Sequence, residues 1–312
     1  MGQYESSKII ALEEAVQMVK PGMNLSFSGF ANSMCPVGFV RQMIRTGVKE
    51  IDISAMGELW AVDMLAGVGA VKRVRQSCFL MEGYGRCRNF SRGAEEGTLA
   101  VEDYSHLGIT SRFAAAAMGM PFLPLKSMMG TDIEKQRNFD ADEKMRVINN
   151  PFDEKEKVAL VKKLEPDIAV VHCARADKKG NTQLYGITSS TEQIAKSAKK
   201  VIVTVEEIVD EAEIRRTQHF TVLPGFFVDA VVHMPFGAHP TGLHKYYDFD
   251  KAHIDIYAEA AKTKETFRQY IEEYILDTKD EMEYLSKIGI RHLMSLRVDP
   301  HFGISLRNRE VL

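Results

Sequence analysis

Short apolar strands that alternate with helices limit most strongly how this chain can fold. Strands are predicted at 24–28, 50–54, 71–79, 167–172 and 201–205, and helices at 7–19, 36–45 and 59–65 lie before or between the first three. A strand, a helix and a further strand in succession favour parallel pairing. We therefore predict an α/β fold, with an open, mostly parallel sheet flanked by helices and a helical C-terminal region.

The first of these strands leads into a sharp turn. The alternating segment 24–28 ends at Gly29, which supplies the backbone freedom of a tight turn, and Pro36 stands where the next helix begins. Backbone N–H groups in such a turn, beside a helix N-terminus, suit an anion or a developing oxyanion. On the turn alone, an ordinary strand-to-helix connection is the simpler interpretation.

Composition excludes several classes of protein. The formal net charge is −3 over 312 residues, with the two signs interspersed, so nucleic acid is not an expected partner. The four cysteines form no CxxC pair, which fits a reducing cytoplasm. We find neither a targeting segment nor an apolar run of membrane-spanning length, and we expect no membrane association.

Two further segments carry candidate site residues. Glu206 and Glu207 directly follow a predicted buried strand, where doubly wound sheets bind ligands; pairing with Arg215 and Arg216 is the alternative interpretation, and it is slightly favoured. His239 lies in a loop between alanine and proline, and ligand contact or a rigid crossover are equally compatible with that loop. Its isolation from other donors argues against a metal site.

Several segments together resemble the first subunit of class I coenzyme A transferases, and more specifically the A subunit of glutaconate CoA-transferase. Ser28-Gly29-Phe30, followed by Pro36, is similar to the Gly-Gly-Phe…Pro signature of that family. The other shared segments, within about 11–298, are 102–105, 121–124, 150–152, 203–208, 213–216, 228–232 and 237–240.

The resemblance implies one half of a heteromeric enzyme. In this family a glutamate attacks an acyl-CoA, and an acyl-glutamyl anhydride and an enzyme-CoA thioester follow before CoA passes to the acceptor carboxylic acid. That glutamate lies in a Ser-Glu-Asn-Gly-like motif of the B subunit, and the motif is absent here. The expected partner is therefore a B subunit, with coenzyme A as substrate, no permanently bound cofactor, and Ser28-Gly29-Phe30 as a wall of the shared site.

Departures from the family pattern bear on the substrate. Met34 occupies the place of an arginine in the glutaconate enzymes, which points to a less acidic or bulkier acyl group. Glu82 beside Gly83 replaces a serine beside a glycine; it is a second acid/base or, as we favour, a solvated turn residue. We expect 1–312 to form a single domain of the A-subunit type, with a charged excursion at about 131–156. The alternatives are an acyl-CoA hydrolase of the ring-opening type, in which Glu82 directs water, and a non-enzymatic ligand sensor.

Overall fold

The computed structural model describes residues 7–136, 139 and 144–299, and two β-sheets lie within them. Nine strands form the larger sheet: β1 Asn24–Phe27, β2 Ile51–Ser54, β3 Val71–Gln76, β4 Ala100–Asp103, β8 Ile168–Ala176, β9 Thr182–Gln183, β10 Lys200–Ile208, β11 Thr221–Leu223 and β12 Ala230–His233. The smaller, antiparallel sheet contains β5 Phe122–Leu125, β6 Arg146–Asn150 and β7 Asp153–Lys162.

Helices connect the strands and form the C-terminal region. They are α1 Leu12–Val16, α2 Val37–Arg45, α3 Trp60–Gly67, α4 Arg88–Glu95, α5 His106–Ala117, α6 Asp132–Lys135, α7 Thr191–Ser197, α8 Glu211–Arg216, α9 Lys251–Ala260, α10 Lys264–Ile271, α11 Glu281–Ile288 and α12 Ile290–Leu296. A π-helical turn, Glu272–Leu276, continues α10. In the described ranges no helix combines the length and apolar character needed to cross a bilayer.

The parallel part of the large sheet follows the order β12-β10-β8-β1-β2-β3-β4. The chain begins in the middle, at β1, and builds outward to β4. After the small sheet it returns to β8, on the other side of β1, and builds outward again to β12. The strand order therefore reverses between β1 and β8, and such a reversal opens a crevice at the carboxyl ends of the strands. The predicted fold class is confirmed.

Apolar strands and the facing sides of the helices form the core. Eight of the nine residues of β8 are buried, as expected for a central parallel strand covered on both faces. One ion pair locks the helical C-terminal region onto the first half of the chain: Arg41 of α2 donates from Nη2 to Glu281 Oε2 of α11 at 2.6 Å. Because Arg41 also donates to the carbonyl of His239 at 2.8 Å, it fixes the loop after β12 as well.

Local signals in the sequence misplace two helix starts. Ser189 with Glu192 and Thr278 with Glu281 have the Ser/Thr-x-x-Glu spacing of a capping box, which predicts a helix start at each serine or threonine, but neither box is formed. Ser190 is at the N-cap of α7, and Asp280 caps α11 by accepting from Glu283 N–H at 2.8 Å.

The charged excursion also contains regular structure. In it, β6 and β7 form a hairpin that turns at Pro151 and Phe152. Residues 137, 138 and 140–143 of the excursion lie outside the described residues.

Candidate active site

Ser28 stands where β1 and β8 separate, and it begins the turn predicted from the sequence. Its N–H donates to the carbonyl of Val170 at 3.0 Å. Its Oγ donates to the carbonyl of Met34 and accepts from the N–H of His172, both at 2.9 Å. Because the side chain is buried and both its hydrogen bonds are internal, Ser28 anchors the turn to the sheet.

Gly29 is required by both backbone conformation and space. Its φ is +129°, and a Cβ atom there would lie 2.5 Å from Cys35 Sγ. The next residue, Phe30, is 41% exposed and lies against Gly57 in the loop after β2. The turn therefore presents one aromatic side chain to the outside, on a backbone that is closely packed from behind.

Most amides of this turn are occupied by the chain itself. Phe30 N–H donates to the carbonyl of Ser33 at 3.0 Å, and Ala31 N–H donates to the carbonyl of Gly57 at 3.1 Å. Of the N–H groups at positions 28–31, only that of Gly29 has no acceptor among the described residues. Among these four positions, Gly29 therefore has the amide that remains for the predicted oxyanion.

A histidine that sequence reasoning missed lies beside Phe30, and a serine that was also missed is hydrogen-bonded to it. The rings of Phe30 and His106 are 6.2 Å apart, and a hydrogen bond of 2.7 Å joins His106 Nδ1 to Ser77 Oγ. Ser77 directly follows β3, which was predicted to run on to Phe79, and His106 begins α5 after a strand that was not predicted. Only the position of His106 had a signal in the sequence. Serine is favoured at the N-cap of a helix, and Ser105 caps α5 by accepting from Gly108 N–H at 2.9 Å.

A third missed residue, Glu58, lies behind the turn. It follows Gly57, is fully buried, and accepts from the N–H of Ala61 at 2.8 Å in the first turn of α3. Burial raises the pKa of this carboxyl group to about 7. The neighbouring Cys35 is also buried, and burial raises the pKa of its thiol well above the ordinary value. Cys35 is therefore no nucleophile at neutral pH.

Glu206 is held in a buried hydrogen-bond network. Its Oε1 accepts from Tyr247 Oη at 2.6 Å, pairs with His172 Nε2 at 2.9 Å and accepts from Gly237 N–H at 3.3 Å. Its Oε2 accepts from Phe236 N–H at 2.8 Å. This carboxylate fastens the loop after β12 onto β8 and β10, so acid/base work on a ligand would require these bonds to break.

The favoured pairing of Glu206 and Glu207 with Arg215 and Arg216 is wrong. Both arginines are exposed, and they pair within α8, with Glu211 and Glu213 respectively. Partners three or four residues away on the same helix are closer than a strand end, and this local geometry decides the pairing.

Two other predicted site residues are buried. His239 bonds Tyr284 Oη through Nδ1 at 2.8 Å and Asp250 Oδ2 through Nε2 at 3.0 Å, and burial lowers its pKa. Met34 is only 1% exposed and packs in a core cluster that includes Leu243 and Tyr247. Neither side chain reaches the exposed surface near Phe30, so an effect of either on a ligand is indirect.

Glu82 and Gly83 lie in an exposed 3₁₀ turn, Glu82–Tyr84. The φ of Glu82 is +49°, a left-handed conformation that is uncommon outside glycine. Across the parts of the chain that the structure describes, no group of three or more acidic, histidine or cysteine side chains is placed to hold a metal ion.

Comparisons with known proteins bring these observations together. The profile of the coenzyme A transferase family matches residues 9–234. The chain is 35% identical over 311 residues to the A subunit of glutaconate CoA-transferase of Acidaminococcus fermentans, an alignment covering 95% of this chain and 97% of that protein. It is 33% identical to the A subunit of 3-oxoadipate CoA-transferase of Pseudomonas knackmussii, covering 91% and 99% of the two chains.

One relative has a hydrolytic name, and one solved structure shares nearly the whole fold. The cholesterol ring-cleaving hydrolase IpdA subunit of Rhodococcus jostii is 27% identical, with 88% of this chain and 94% of that protein aligned. The crystal structure of glutaconate coenzyme A-transferase from Acidaminococcus fermentans superimposes with a TM-score of 0.93, covering 97% of this chain and 100% of that one, at 33% identity.

Proposed function

Because the chain belongs to the coenzyme A transferase family, we propose that it is the A subunit of a heteromeric CoA-transferase. The complete enzyme moves CoA from an acyl-CoA to a carboxylic acid, and the partner B subunit supplies the nucleophilic glutamate. The observation that carries this proposal is the alignment of 95% of the chain with the A subunit of a CoA-transferase. We take the 312 residues as a single domain, with CoA as substrate.

The turn at Gly29 is this chain's proposed contribution to the shared site. Phe30 forms a wall against the acyl group, since it is the exposed side chain of a turn that is otherwise packed from behind. The N–H of Gly29 is the donor directed at the thioester oxygen, because its neighbours at positions 30 and 31 donate within the chain. His106 and Ser77 form the polar side of the same wall, next to Phe30.

The substrate proposed for this enzyme carries no second carboxylate. Met34 is apolar and only 1% exposed, so position 34 brings no cation toward the turn that could pair with such a group. On β3 and α5, the cations Arg75 and Arg112 approach Glu102 at 3.5 and 3.7 Å, so both are paired with a carboxylate inside the protein. Burying an unpaired carboxylate against this wall would be costly.

An acyl-CoA hydrolase is the second candidate. It is favoured by the relation to a ring-cleaving hydrolase and by the exposed carboxylate of Glu82. In that reaction Glu82 directs a water molecule onto the acyl group, and no acceptor acid is needed.

Trapping the covalent intermediate distinguishes the two. The chain is co-purified with a partner that carries the Ser-Glu-Asn-Gly motif, incubated with acyl-CoA and reduced with borohydride. A transferase gives label in the partner's glutamate and transfers CoA only when a carboxylic acid is added. Release of free CoA without an acceptor, abolished by Glu82→Gln, supports the hydrolase. Label on a glutamate of this chain contradicts its proposed role as the half without the nucleophile.

A further inference from the structure

One buried carboxyl oxygen behind the turn has no partner. Glu58 is 0% exposed, and its Oε1 accepts from Ala61 N–H at 2.8 Å. Its Oε2 has no hydrogen-bond partner among the described residues. An ionised oxygen left unsatisfied in the interior is costly, whereas a neutral carboxyl group costs much less. The site is thus built for the neutral acid.

Glu58 lies in direct contact with the turn at Gly29. A Cβ atom on Gly29 would lie 3.1 Å from Glu58 Cγ, so no free space separates the two residues. Two hydrogen bonds join their loops: Ala31 N–H donates to the carbonyl of Gly57 at 3.1 Å, and Trp60 Nε1–H donates to Asn32 Oδ1 at 3.2 Å. Movement of Glu58 therefore moves the turn.

The groups that face Glu58 offer no positive charge. The titratable ones are the thiol of Cys35, from the turn, and the thiol of Cys87, just before α4. Backbone N–H groups in the first turn of α3 also face the carboxyl group and lower its pKa, but by less than burial raises it. Burial raises the pKa of both thiols, and the nearby Glu58 contributes to each rise. Ionisation of Glu58 would thus place a negative charge in a site without a cation, where water can reach it only if the two loops separate.

We propose that Glu58 is a positioning residue for the transfer reaction: its neutral form keeps Gly29 and Phe30 in place, and its ionisation displaces them. This inference rests on the proposed function, because it concerns the same turn. Glu58 need not touch the acyl group; it acts through the loop contacts at Gly29 and Gly57.

Glutamine at position 58 mimics the neutral acid and cannot ionise. Turnover of the assembled enzyme is measured from pH 6 to 9 for the wild type and for Glu58→Gln. Since the pKa of Glu58 is about 7, the neutral fraction and with it wild-type kcat are expected to fall about fivefold from pH 7 to pH 8 and about fiftyfold from pH 7 to pH 9. Glu58→Gln is expected to lack this fall. Asp63→Asn is the matched control, because Asp63 is also buried on α3 but bonds Asn89 and Tyr257, away from the turn. It should retain the wild-type profile. The same decline in wild type and Glu58→Gln overturns the proposal.

Hydrogen exchange of the amides at positions 30 and 31, which donate within the chain, gives a readout that needs no activity. At pH 8.5 these amides should exchange at least about tenfold faster in the wild-type complex than in Glu58→Gln, and at pH 6 the two should agree. Equal exchange at both pH values overturns the proposal even if Glu58→Gln folds poorly. If the exchange difference is present but the complex turns over no acyl-CoA, Glu58 still positions the turn, and it is the proposed function that fails.

Discussion

Replacement of Gly29 by alanine tests whether the turn behind Phe30 is as tightly constrained as the structure indicates. The new Cβ would lie 2.5 Å from Cys35 Sγ and 3.2 Å from Cys35 Cα, on a backbone with φ of +129°. The unfavourable φ costs about 1–3 kcal/mol, and overpacking against Cys35 adds about another 1–3 kcal/mol. We therefore expect the free energy of unfolding to fall by about 2–6 kcal/mol.

Gly22→Ala is the matched control. Gly22 also has a positive φ, +83°, but nothing lies within 4 Å of the position its Cβ would take. Only the backbone cost applies there, about 1–2 kcal/mol. Urea unfolding of the purified chains, followed by circular dichroism, measures both changes. In the assembled enzyme Gly29→Ala should also lower kcat by about a hundredfold, the scale for disturbing an oxyanion donor, whereas Gly22→Ala should leave kcat within about twofold of wild type.

A double-mutant cycle isolates the steric part of the effect. Cys35→Ala removes the sulfur atom that the new methyl group would meet, so Gly29→Ala should cost about 1–2 kcal/mol less in that background. If Gly29→Ala costs no more than Gly22→Ala, and Cys35→Ala changes nothing, then the close packing behind the turn does not constrain it and the reasoning is wrong.

Four further outcomes are expected. The purified chain alone should show no CoA transfer, measured with an acyl-CoA and a carboxylic acid, because the nucleophile is expected on the partner; transfer by the chain alone would contradict this. Glu58→Gln should have a free energy of unfolding about 3 kcal/mol higher than the wild type above pH 7. The reason is that the pKa of Glu58 is about 7 in the folded chain and 4.5 for an ordinary glutamate, so ionisation of Glu58 favours the unfolded chain. The difference should be absent below pH 4.5, grow between pH 4.5 and 7, and stay constant above pH 7. Urea unfolding across this range checks it, and a difference that shrinks as pH rises would have the wrong sign. His106→Leu should raise KM for acyl-CoA about tenfold, the value of one lost hydrogen bond, without changing the melting temperature; the exposed His219→Leu is its control. Finally, the enzyme should use an uncharged acyl-CoA with a higher kcat/KM than glutaryl-CoA, because Met34 offers no partner for a second carboxylate; the opposite preference would show that a cation elsewhere meets this charge.

Regular structure was predictable where local chemistry is strong. The alternation and apolar runs of β1, β2, β8 and β10 were recognised, as was the helix that starts after Pro36. The hairpin of β6 and β7 was missed because most of its residues up to position 157 are exposed or half-buried, so one face does not differ from the other in polarity. Hydrophobic alternation identifies a strand only when one of its faces is buried.

The α/β class, the family and the turn at 28–30 follow from the amino-acid sequence alone, because each depends on residues that are close together in the chain or on a pattern spread along it. What surrounds the turn depends on the tertiary fold. Glu58 comes behind Gly29, His106 comes beside Phe30, and Glu206 is committed to an internal network with His172 and Tyr247. These partners are far apart in the chain. They meet because parallel strands bring their carboxyl ends to one edge, and no local propensity encodes which side chains face each other there.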